Sequence, residues 1–143
     1  MTNQRGSTIA EMITALSLAG ILTVTANPVI GALRGQYELA SATSQLAFEI
    51  SRARMQAIGQ NVFVRLRIVS GNLVRERSAN GVLYVQDGAA IGLPGKVTAT
   101  AGASGAPSFD RNGLASARTA ITVSNSRGRK TVQTSVVGRV TVS

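Results

Sequence analysis

The chain has 143 residues, a formal net charge of +9, and neither cysteine nor histidine. Zinc sites and Ser-His or Cys-His nucleophiles depend on those side chains, so the composition excludes both kinds of centre. The six acidic residues are scattered, and no two have the spacing of a glycosidase carboxylate pair or a calcium loop. We therefore predict a protein that is not an enzyme and uses no cofactor.

The N-terminal part of the chain is apolar over the length of a membrane-spanning helix. Residues 12–33 include no charged side chain, and about 20 such residues span a bilayer. Glu11 stands at the front edge of this segment, where a carboxylate is costly without a partner and so marks a functional hypothesis. Asn27-Pro28 interrupts the pattern and predicts a kink or local melting over residues 23–28.

Residues 34–58 resume a helical pattern with one apolar stripe. Leu39, Leu46, Ile50 and Ala53 or Ala57 recur at helical intervals. Gly59 predicts the C-terminal end of this helix. Because only this half of the helix is amphipathic, we expect only this half to pack on a globular domain.

After Asn61 the hydrophobic period changes to two, which is typical of half-buried strands. Turn residues at Ser70-Gly71, Asn80-Gly81 and residues 125–128 separate the candidate strands. The strands are predicted at residues 62–68, 73–77, 82–86, 96–100, 120–124, 131–137 and 139–142. The stretch 88–108 is predicted to be mostly loop. Together these elements predict an α+β fold in which a long N-terminal helix packs on a small antiparallel β-sheet domain.

Basic residues dominate the C-terminal part. From residue 111 to the end there are six basic side chains and no acidic one. Such a stretch attracts polyanions such as nucleic acid, acidic lipid headgroups or an acidic protein face, and a solvated basic surface explains it equally well. Arg127, Arg129, Lys130 and Arg139 are the candidate polyanion contacts.

Residues Arg5-Gly6-Ser7-Thr8-Ile9-Ala10-Glu11 resemble the class III signal of type IV pilins and pseudopilins: a basic residue, a glycine, and a glutamate five positions later. The resemblance implies that a prepilin peptidase cuts between Gly6 and Ser7 and methylates the new amine on Ser7. Pro28 also falls where that family's N-terminal helix often has proline. Ser7 departs from the family, which usually has phenylalanine or methionine after the cut.

Cleavage at this site leaves a positive amine on Ser7 and a negative Glu11 one helical turn away, both in an apolar setting. In a filament, the carboxylate of one subunit pairs with the amine of a neighbour, and desolvation makes that pairing matter more than in water. Glu11 is therefore expected to act in assembly, together with Pro28.

The downstream part is similar to the GspH/FimT branch of minor pilins and pseudopilins. The similarity lies in residues 46–58 and 62–68, in residues 109–113, and in Val137-Gly138-Arg139-Val140. Some members of this branch bind DNA through a C-terminal Gly-Arg-x-Arg element. Here that position reads Gly138-Arg139-Val140-Thr141, without the second arginine, and the basic turn at Arg127 would supply the charge instead.

The resemblance implies a leader peptide at residues 1–6 and a hydrophobic helix at 7–33 that crosses the membrane and enters the filament core. An amphipathic helix half at 34–59 and a β-rich domain at 60–143 follow. The implied function is a minor pilin at or near the tip of a type IV pilus, a GspH-like subunit of a type II secretion pseudopilus, or a DNA-binding minor pilin in DNA uptake. Its partners would be the prepilin peptidase, other major and minor pilins or pseudopilins, and the inner-membrane assembly platform. The expected location is the bacterial inner membrane, with a single span and a periplasmic C-terminal domain, and then the filament.

Three other interpretations of the sequence compete with the pilin or pseudopilin interpretation. An ordinary secretory signal peptide would be cut after Val24-Thr25-Ala26, but the helical stripe continues past Pro28. A single-span anchored domain that never assembles is the second reading. A nucleic-acid-binding module is the third, and because aromatic residues are few, any such binding would be led by phosphate contacts and not by base stacking.

Overall fold

A computed structural model describes the backbone of residues 8–143 and the side chains of residues 8–21, 31 and 33–143. One helix is followed by nine short strands. The elements are α1 (Ile9–Gln60), β1 (Phe63–Val69), β2 (Asn72–Ser78), β3 (Val85–Gln86), β4 (Ile91–Gly92), β5 (Thr98–Ala101), β6 (Ser108–Phe109), β7 (Thr119–Asn125), β8 (Gly128–Thr134) and β9 (Val140–Val142).

The chain divides into two compact units, Met1–Arg34 and Gly35–Ser143, with the boundary inside α1. In the part that the structure describes, no helix has both the length and the apolar content to cross a membrane. The membrane-spanning role of residues 7–33 stays a prediction.

Helix α1 runs without interruption through Asn27-Pro28, so the local melting expected over residues 23–28 is wrong. A proline inside a helix keeps a helical φ and removes a single backbone hydrogen bond, and the flanking turns hold the helix together. The kink expected at this point stays a prediction.

The second half of α1 buries one face in the core of the Gly35–Ser143 unit. The residues at helical spacing on that face are almost fully buried: Leu39, Ala42, Leu46, Ile50, Ala53 and Ala57. This confirms the predicted stripe, because a period near 3.6 brings these side chains into one line facing the sheets.

Helix α1 ends at Gln60, one residue beyond the glycine predicted to end it. Asn61 takes the left-handed conformation with φ 53°. The amide of Val62 donates to the carbonyl of Ala57 at 3.1 Å, and the amide of Asn61 donates to the carbonyl of Ile58 at 3.3 Å. These are the two hydrogen bonds of a Schellman motif. Gly59 therefore lies inside the last turn, and Asn61 ends the helix.

Sheet A has the order β3-β2-β1-β6, and β4 also pairs with β2. Strands β1 and β2 form a full-length antiparallel hairpin from Phe63↔Ser78 to Val69↔Asn72. Their turn residues Ser70 and Gly71 have φ of 51° and 79°, which is the signature of a type I′ turn matched to strand twist. On its other side β1 pairs with β6 over two positions only.

Sheet B has the order β5-β7-β8-β9, all antiparallel. The β7–β8 hairpin closes at Asn125↔Gly128, at the predicted turn. The antiparallel domain therefore consists of two sheets where one was predicted. Alternate strand residues of both sheets meet α1 in a single core, chiefly Val64, Leu66, Leu73, Phe109, Ile121, Val123 and Val132.

Strands β4 and β6 lie within or at the end of the stretch 88–108, where a single weak strand was predicted, and each is only two residues long. Strand β8 spans Gly128–Thr134 and not residues 131–137. Its start follows from the tight turn, because a hairpin register begins at the turn and not at the first apolar residue.

Candidate assembly and polyanion-binding sites

The predicted processing site lies outside the part of the chain that the structure describes. Gly6 and Ser7 belong to residues 1–7, and Pro28 belongs to the helical stretch whose side chains are not described. Their roles in cleavage, methylation and assembly stay predictions.

Glu11 lies in the first turn of α1, where it takes part in a capping box with Thr8. The backbone amide of Thr8 donates to Glu11 Oε2 at 2.8 Å. In return, the amide of Glu11 contacts Thr8 Oγ1 at 3.4 Å. The sequence Thr8-Ile9-Ala10-Glu11 is the Thr-x-x-Glu pattern of a helix N-terminus, in which each side chain satisfies an amide that the helix leaves open. A negative carboxylate also interacts favourably with the helix dipole there.

Around and after Glu11, the described part of this helix is apolar on all sides. Its large aliphatic side chains are each more than half exposed in the single chain: Ile9, Met12, Ile13, Leu16, Leu18 and Ile21. A helix that is hydrophobic all round is normally covered by lipid or by other helices. This stretch therefore requires a covering environment that the single chain does not provide.

The basic turn of the β7–β8 hairpin packs on the helix at Gly35. Asn125 Nδ2 donates to the carbonyl of Gly35 at 2.7 Å, and Asn125 Oδ1 accepts from the amide of Arg127 at 2.9 Å. A Cβ added at Gly35 would lie 2.7 Å from Arg127 Cγ, so the stem of Arg127 covers this glycine. Arg127 has a packing role in addition to its exposed charge.

Arg129 and Lys130, by contrast, lie on opposite faces of sheet B. They are neighbours in β8, so their side chains leave opposite faces of sheet B. Lys130 is registered with the buried Val123, and Arg129 with Ser124 on the outer face. All three basic residues of the turn are exposed, and the sheet separates Arg129 from Lys130.

Arg139 lies at the opposite end of sheet B, beside an arginine that the sequence reasoning did not select. A cleft of about 340 Å³ is lined by Arg118, Gln133, Thr134, Ser135, Arg139 and Thr141, none of them acidic. The loop is held by hydrogen bonds from the Ser135 amide to the Arg139 carbonyl at 2.9 Å and from the Arg139 amide to Ser135 Oγ at 3.1 Å.

The hairpin register identifies Arg118. Because Asn125 pairs with Gly128 and Thr119 with Thr134, the next position along the ladder places Arg118 opposite Ser135. The register that follows from the predicted turn at residues 125–128 therefore already places Arg118 next to the loop that contains Arg139.

A charged cluster joins α1 to sheet A. Arg75 in β2 lies between two carboxylates: its Nη1 is 3.5 Å from Glu49 Oε2 and its Nε is 3.5 Å from Asp87 Oδ2. The side chains of Arg75 and Glu49 are only 12% and 7% exposed. The alternation of Arg75 and Arg77 along the strand is typical of an exposed sheet face, but only Arg77, 57% exposed, is on the surface. The strand position of Arg75 faces the helix, where Glu49 neutralises it.

Asp87 completes this cluster and has a lowered pKa. The amide of Gln56 donates to Asp87 Oδ2 at 2.5 Å. That hydrogen bond is the main cause that holds the pKa of Asp87 below its ordinary value of 3.8. The charges of Arg75 and Arg77 lower the pKa further, while burial acts in the opposite direction.

No protein-family model and no curated protein sequence matches the chain. Among solved structures, the fold is similar to the type IV minor pilin FimU of Pseudomonas aeruginosa strain PAO1. The crystal form in space group P21 has a TM-score of 0.63 and 18% sequence identity, over 76% of this chain and 90% of that one. The form in space group P65 has a TM-score of 0.55 and 16% identity, over 73% and 92%. The likeness confirms the predicted α+β, pilin-like fold.

Proposed function

We propose that the chain is a minor pilin of the GspH/FimT type, a structural subunit built into a type IV pilus after cleavage by a prepilin peptidase. The proposal rests on a pilin-like domain joined to a helix whose first part is apolar on all sides. A pilin-like domain has the fold of a known minor pilin, and its first helix begins with a stretch that is apolar all round. In a filament, the helices of neighbouring subunits would cover that stretch.

The proposal includes cleavage between Gly6 and Ser7, N-methylation of Ser7, and pairing of Glu11 with the Ser7 amine of a neighbouring subunit. Before assembly the chain would cross the inner membrane once, with the β-rich domain in the periplasm. The prepilin peptidase, the assembly platform and other pilins would be its partners. The signal-like residues 5–11 and the placement of Glu11 at the helix start support this series of steps.

Sheared filaments from cells that express the tagged full chain test the proposal. We expect the chain in the filament fraction, with a mature N-terminus at methylated Ser7. A Gly6→Ala variant should keep the leader and stay in the membrane fraction. A mature chain that begins at Asn27 would mean an ordinary signal peptide, and a processed chain absent from filaments would contradict the structural role. Loss of protein secretion with normal pili in a deletion strain would assign the chain to a secretion pseudopilus.

Binding of a polyanion such as DNA is a second candidate function, favoured by the cleft that holds both Arg118 and Arg139. Two arginines in one cleft without an acidic side chain form a site for phosphate groups. Gel shifts of the full chain with duplex DNA at two salt concentrations test this function. We expect Arg118→Gln and Arg139→Gln each to lower the salt slope by about one, with Arg52→Gln, whose guanidinium lies 3.7 Å from Glu49, as the matched control. Absence of a shift at low salt would reject this function.

A further inference from the structure

Two tight turns in the β-rich part of the chain each end in a glycine with a left-handed backbone. In the turn from Asp110 to Gly113, the amide of Gly113 donates to the carbonyl of Asp110 at 3.0 Å, and the φ of Gly113 is 75°. In the turn from Ser135 to Gly138, the amide of Gly138 donates to the carbonyl of Ser135 at 2.8 Å, and the φ of Gly138 is 76°. Glycine adopts such a φ without the steric cost that a Cβ brings. We call these segments the Gly113 turn and the Gly138 turn.

The side chain of Arg54, from the second half of α1, passes between the two turns. Its Nε donates to the carbonyl of Gly113 at 3.0 Å. A Cβ built at Gly138 would lie 2.5 Å from Arg54 Nε and 2.7 Å from Arg54 Cδ, and a Cβ built at Gly113 would lie 3.3 Å from Arg54 Cγ. Distances below 3.0 Å are shorter than real Cβ contacts. The glycines therefore provide the space that the arginine stem occupies, in addition to the left-handed φ.

The two turns also contact each other, so Arg54 connects both of them to the helix. The amide of Ala115, just after the Gly113 turn, donates to the carbonyl of Val136 in the Gly138 turn at 2.8 Å. Arg139 follows Gly138 directly, and consecutive Cα atoms are about 3.8 Å apart. A displacement of the Gly138 turn therefore moves Arg139 with it.

We propose that Arg54 is a positioning residue for the polyanion-binding cleft that holds Arg118 and Arg139. It fixes the Gly138 turn to α1, so that Arg139 keeps its place beside Arg118. Ordering loops and flexible side chains on binding lowers affinity, and a turn that is already held in the free chain avoids part of that cost. The inference rests on polyanion binding, the second candidate function proposed above.

Arg54 acts through the Gly138 turn and does not itself line the cleft. The lining residues in the described part of the chain do not include it. Its side chain is half-buried, and its Nε donates to the carbonyl of Gly113. Its role therefore depends on its stem and its N–H donor, whereas Arg118 and Arg139 act through their charges.

Two substitutions of Arg54 separate the donor from the charge. Arg54→Gln keeps the stem and an N–H donor without the charge, because the amide nitrogen of glutamine is bonded to Cδ as Nε is in arginine. Arg54→Met keeps an unbranched stem and has neither the donor nor the charge. Arg52→Gln is the matched control, since Arg52 belongs to the same helix and its guanidinium lies 3.7 Å from Glu49.

Gel shifts of the full chain in detergent, with duplex DNA at two salt concentrations, measure the effect on binding. We expect Arg54→Gln and Arg52→Gln to bind within about twofold of the wild type with an unchanged salt slope, since neither loses a phosphate contact. Arg54→Met should bind about two- to tenfold more weakly, and should add little to Arg139→Gln because both changes act on the same contact.

Three outcomes of the gel shifts would overturn the proposal. A salt slope lowered by about one in Arg54→Gln would make Arg54 itself a phosphate contact. Binding of Arg54→Met at the wild-type level would show that the cleft does not depend on Arg54. Full additivity of Arg54→Met and Arg139→Gln would show that the two residues act independently.

Backbone hydrogen exchange separates this inference from the binding function. In Arg54→Met the amides of Gly138 and Arg139 should exchange at least about tenfold faster than in the wild type, while the amide of Val132 in the core stays unchanged. Unchanged exchange at Gly138 and Arg139 would overturn the inference even if the chain binds DNA. Faster exchange in a chain that does not bind DNA would retain the anchoring of the turn and reject the polyanion function. If Arg54→Met does not fold, Arg54→Lys replaces it under the same criteria, because lysine has a methylene where arginine has Nε.

Discussion

Thr8 and Glu11 satisfy each other's backbone amides at the start of α1, with the Thr8 amide 2.8 Å from Glu11 Oε2 and the Glu11 amide 3.4 Å from Thr8 Oγ1. The carboxylate proposed to pair with a neighbouring subunit therefore also caps its own helix. These two roles depend on different properties of the side chain. Capping requires an acceptor atom at this position, whereas pairing across subunits requires the negative charge.

Glu11→Gln separates the two roles, because glutamine at this position also completes a capping box. We expect Glu11→Gln and Glu11→Ala both to reduce incorporation into filaments by at least about tenfold, since each leaves the Ser7 amine of the neighbour without its counter-charge. Quantitative immunoblots of sheared filaments, normalised to total processed chain, measure this.

Thr8→Ala is the matched control, since it removes the hydroxyl acceptor and keeps the carboxylate. Its incorporation should stay near that of the wild type. If Glu11→Gln enters filaments as well as the wild type while Glu11→Ala does not, helix capping and not charge pairing explains the glutamate.

Removing one member of the buried Glu49–Arg75 pair should cost more stability than replacing both members. Glu49→Ala leaves Arg75, 12% exposed, with Asp87 at 3.5 Å as its remaining partner and should lower the free energy of unfolding by about 2 kcal/mol. Replacing both residues, Glu49→Leu with Arg75→Met, should cost less than the single change. Arg52→Ala is the control: its guanidinium, 53% exposed, lies 3.7 Å from Glu49, and its loss should cost at most about 1 kcal/mol. Urea unfolding of the full chain in detergent measures all three, and a double variant less stable than Glu49→Ala would contradict the account.

The contrast between Leu46 and Arg75 indicates what the sequence can predict here. The burial of Leu46 follows from local periodicity, because helical spacing alone places it with Leu39 and Ile50. Arg75 resembles Arg77, two positions along the same strand, whose side chain is 57% exposed. The register of the β1–β2 hairpin places Arg75 opposite the buried Leu66, but its partner Glu49 lies 26 positions earlier in the chain, and no local pattern contains that pairing.

The same distinction explains the candidate sites. Arg118 was within reach of sequence reasoning, because a hairpin register propagates from its turn. Strand β6 was not, because a two-residue strand carries no period to detect.

The lowered pKa of Asp87 predicts a loss of stability in acid. Its pKa is below 3.8 in the folded chain, so the unfolded chain binds a proton first as the pH falls. The resulting stabilisation is fully present above the unfolded pKa and is lost as the pH falls through the folded one. Urea midpoints at pH 5 and pH 3 should therefore fall more for the wild type than for Asp87→Asn. Gln56→Ala, which removes the main cause of the shift, should have an intermediate fall, and equal falls for all three would contradict this assignment.

Whether Gly35→Ala stabilises or destabilises the folded chain should depend on Arg127. Alanine normally stabilises a helix interior relative to glycine by about 0.5–1 kcal/mol. Gly59→Ala should show that gain, because nothing lies within 4 Å of a Cβ built there. At Gly35 the added Cβ would lie 2.7 Å from Arg127 Cγ, close to the backbone of a turn that Asn125 also holds. Gly35→Ala should therefore be destabilising, by about 1–2 kcal/mol relative to Gly59→Ala.

Replacing Arg127 by alanine should turn the destabilising effect of Gly35→Ala into a stabilising one. In an Arg127→Ala background the next contact of the added Cβ is Arg127 Cβ at 3.7 Å, an ordinary van der Waals distance. Gly35→Ala should then stabilise the helix about as much as Gly59→Ala does. The free energies of unfolding of the wild type, of Gly35→Ala, of Arg127→Ala and of the double variant give the coupling between the two positions. If Gly35→Ala is equally unfavourable with and without the Arg127 stem, the glycine is required for a reason other than the packing of the basic turn on the helix.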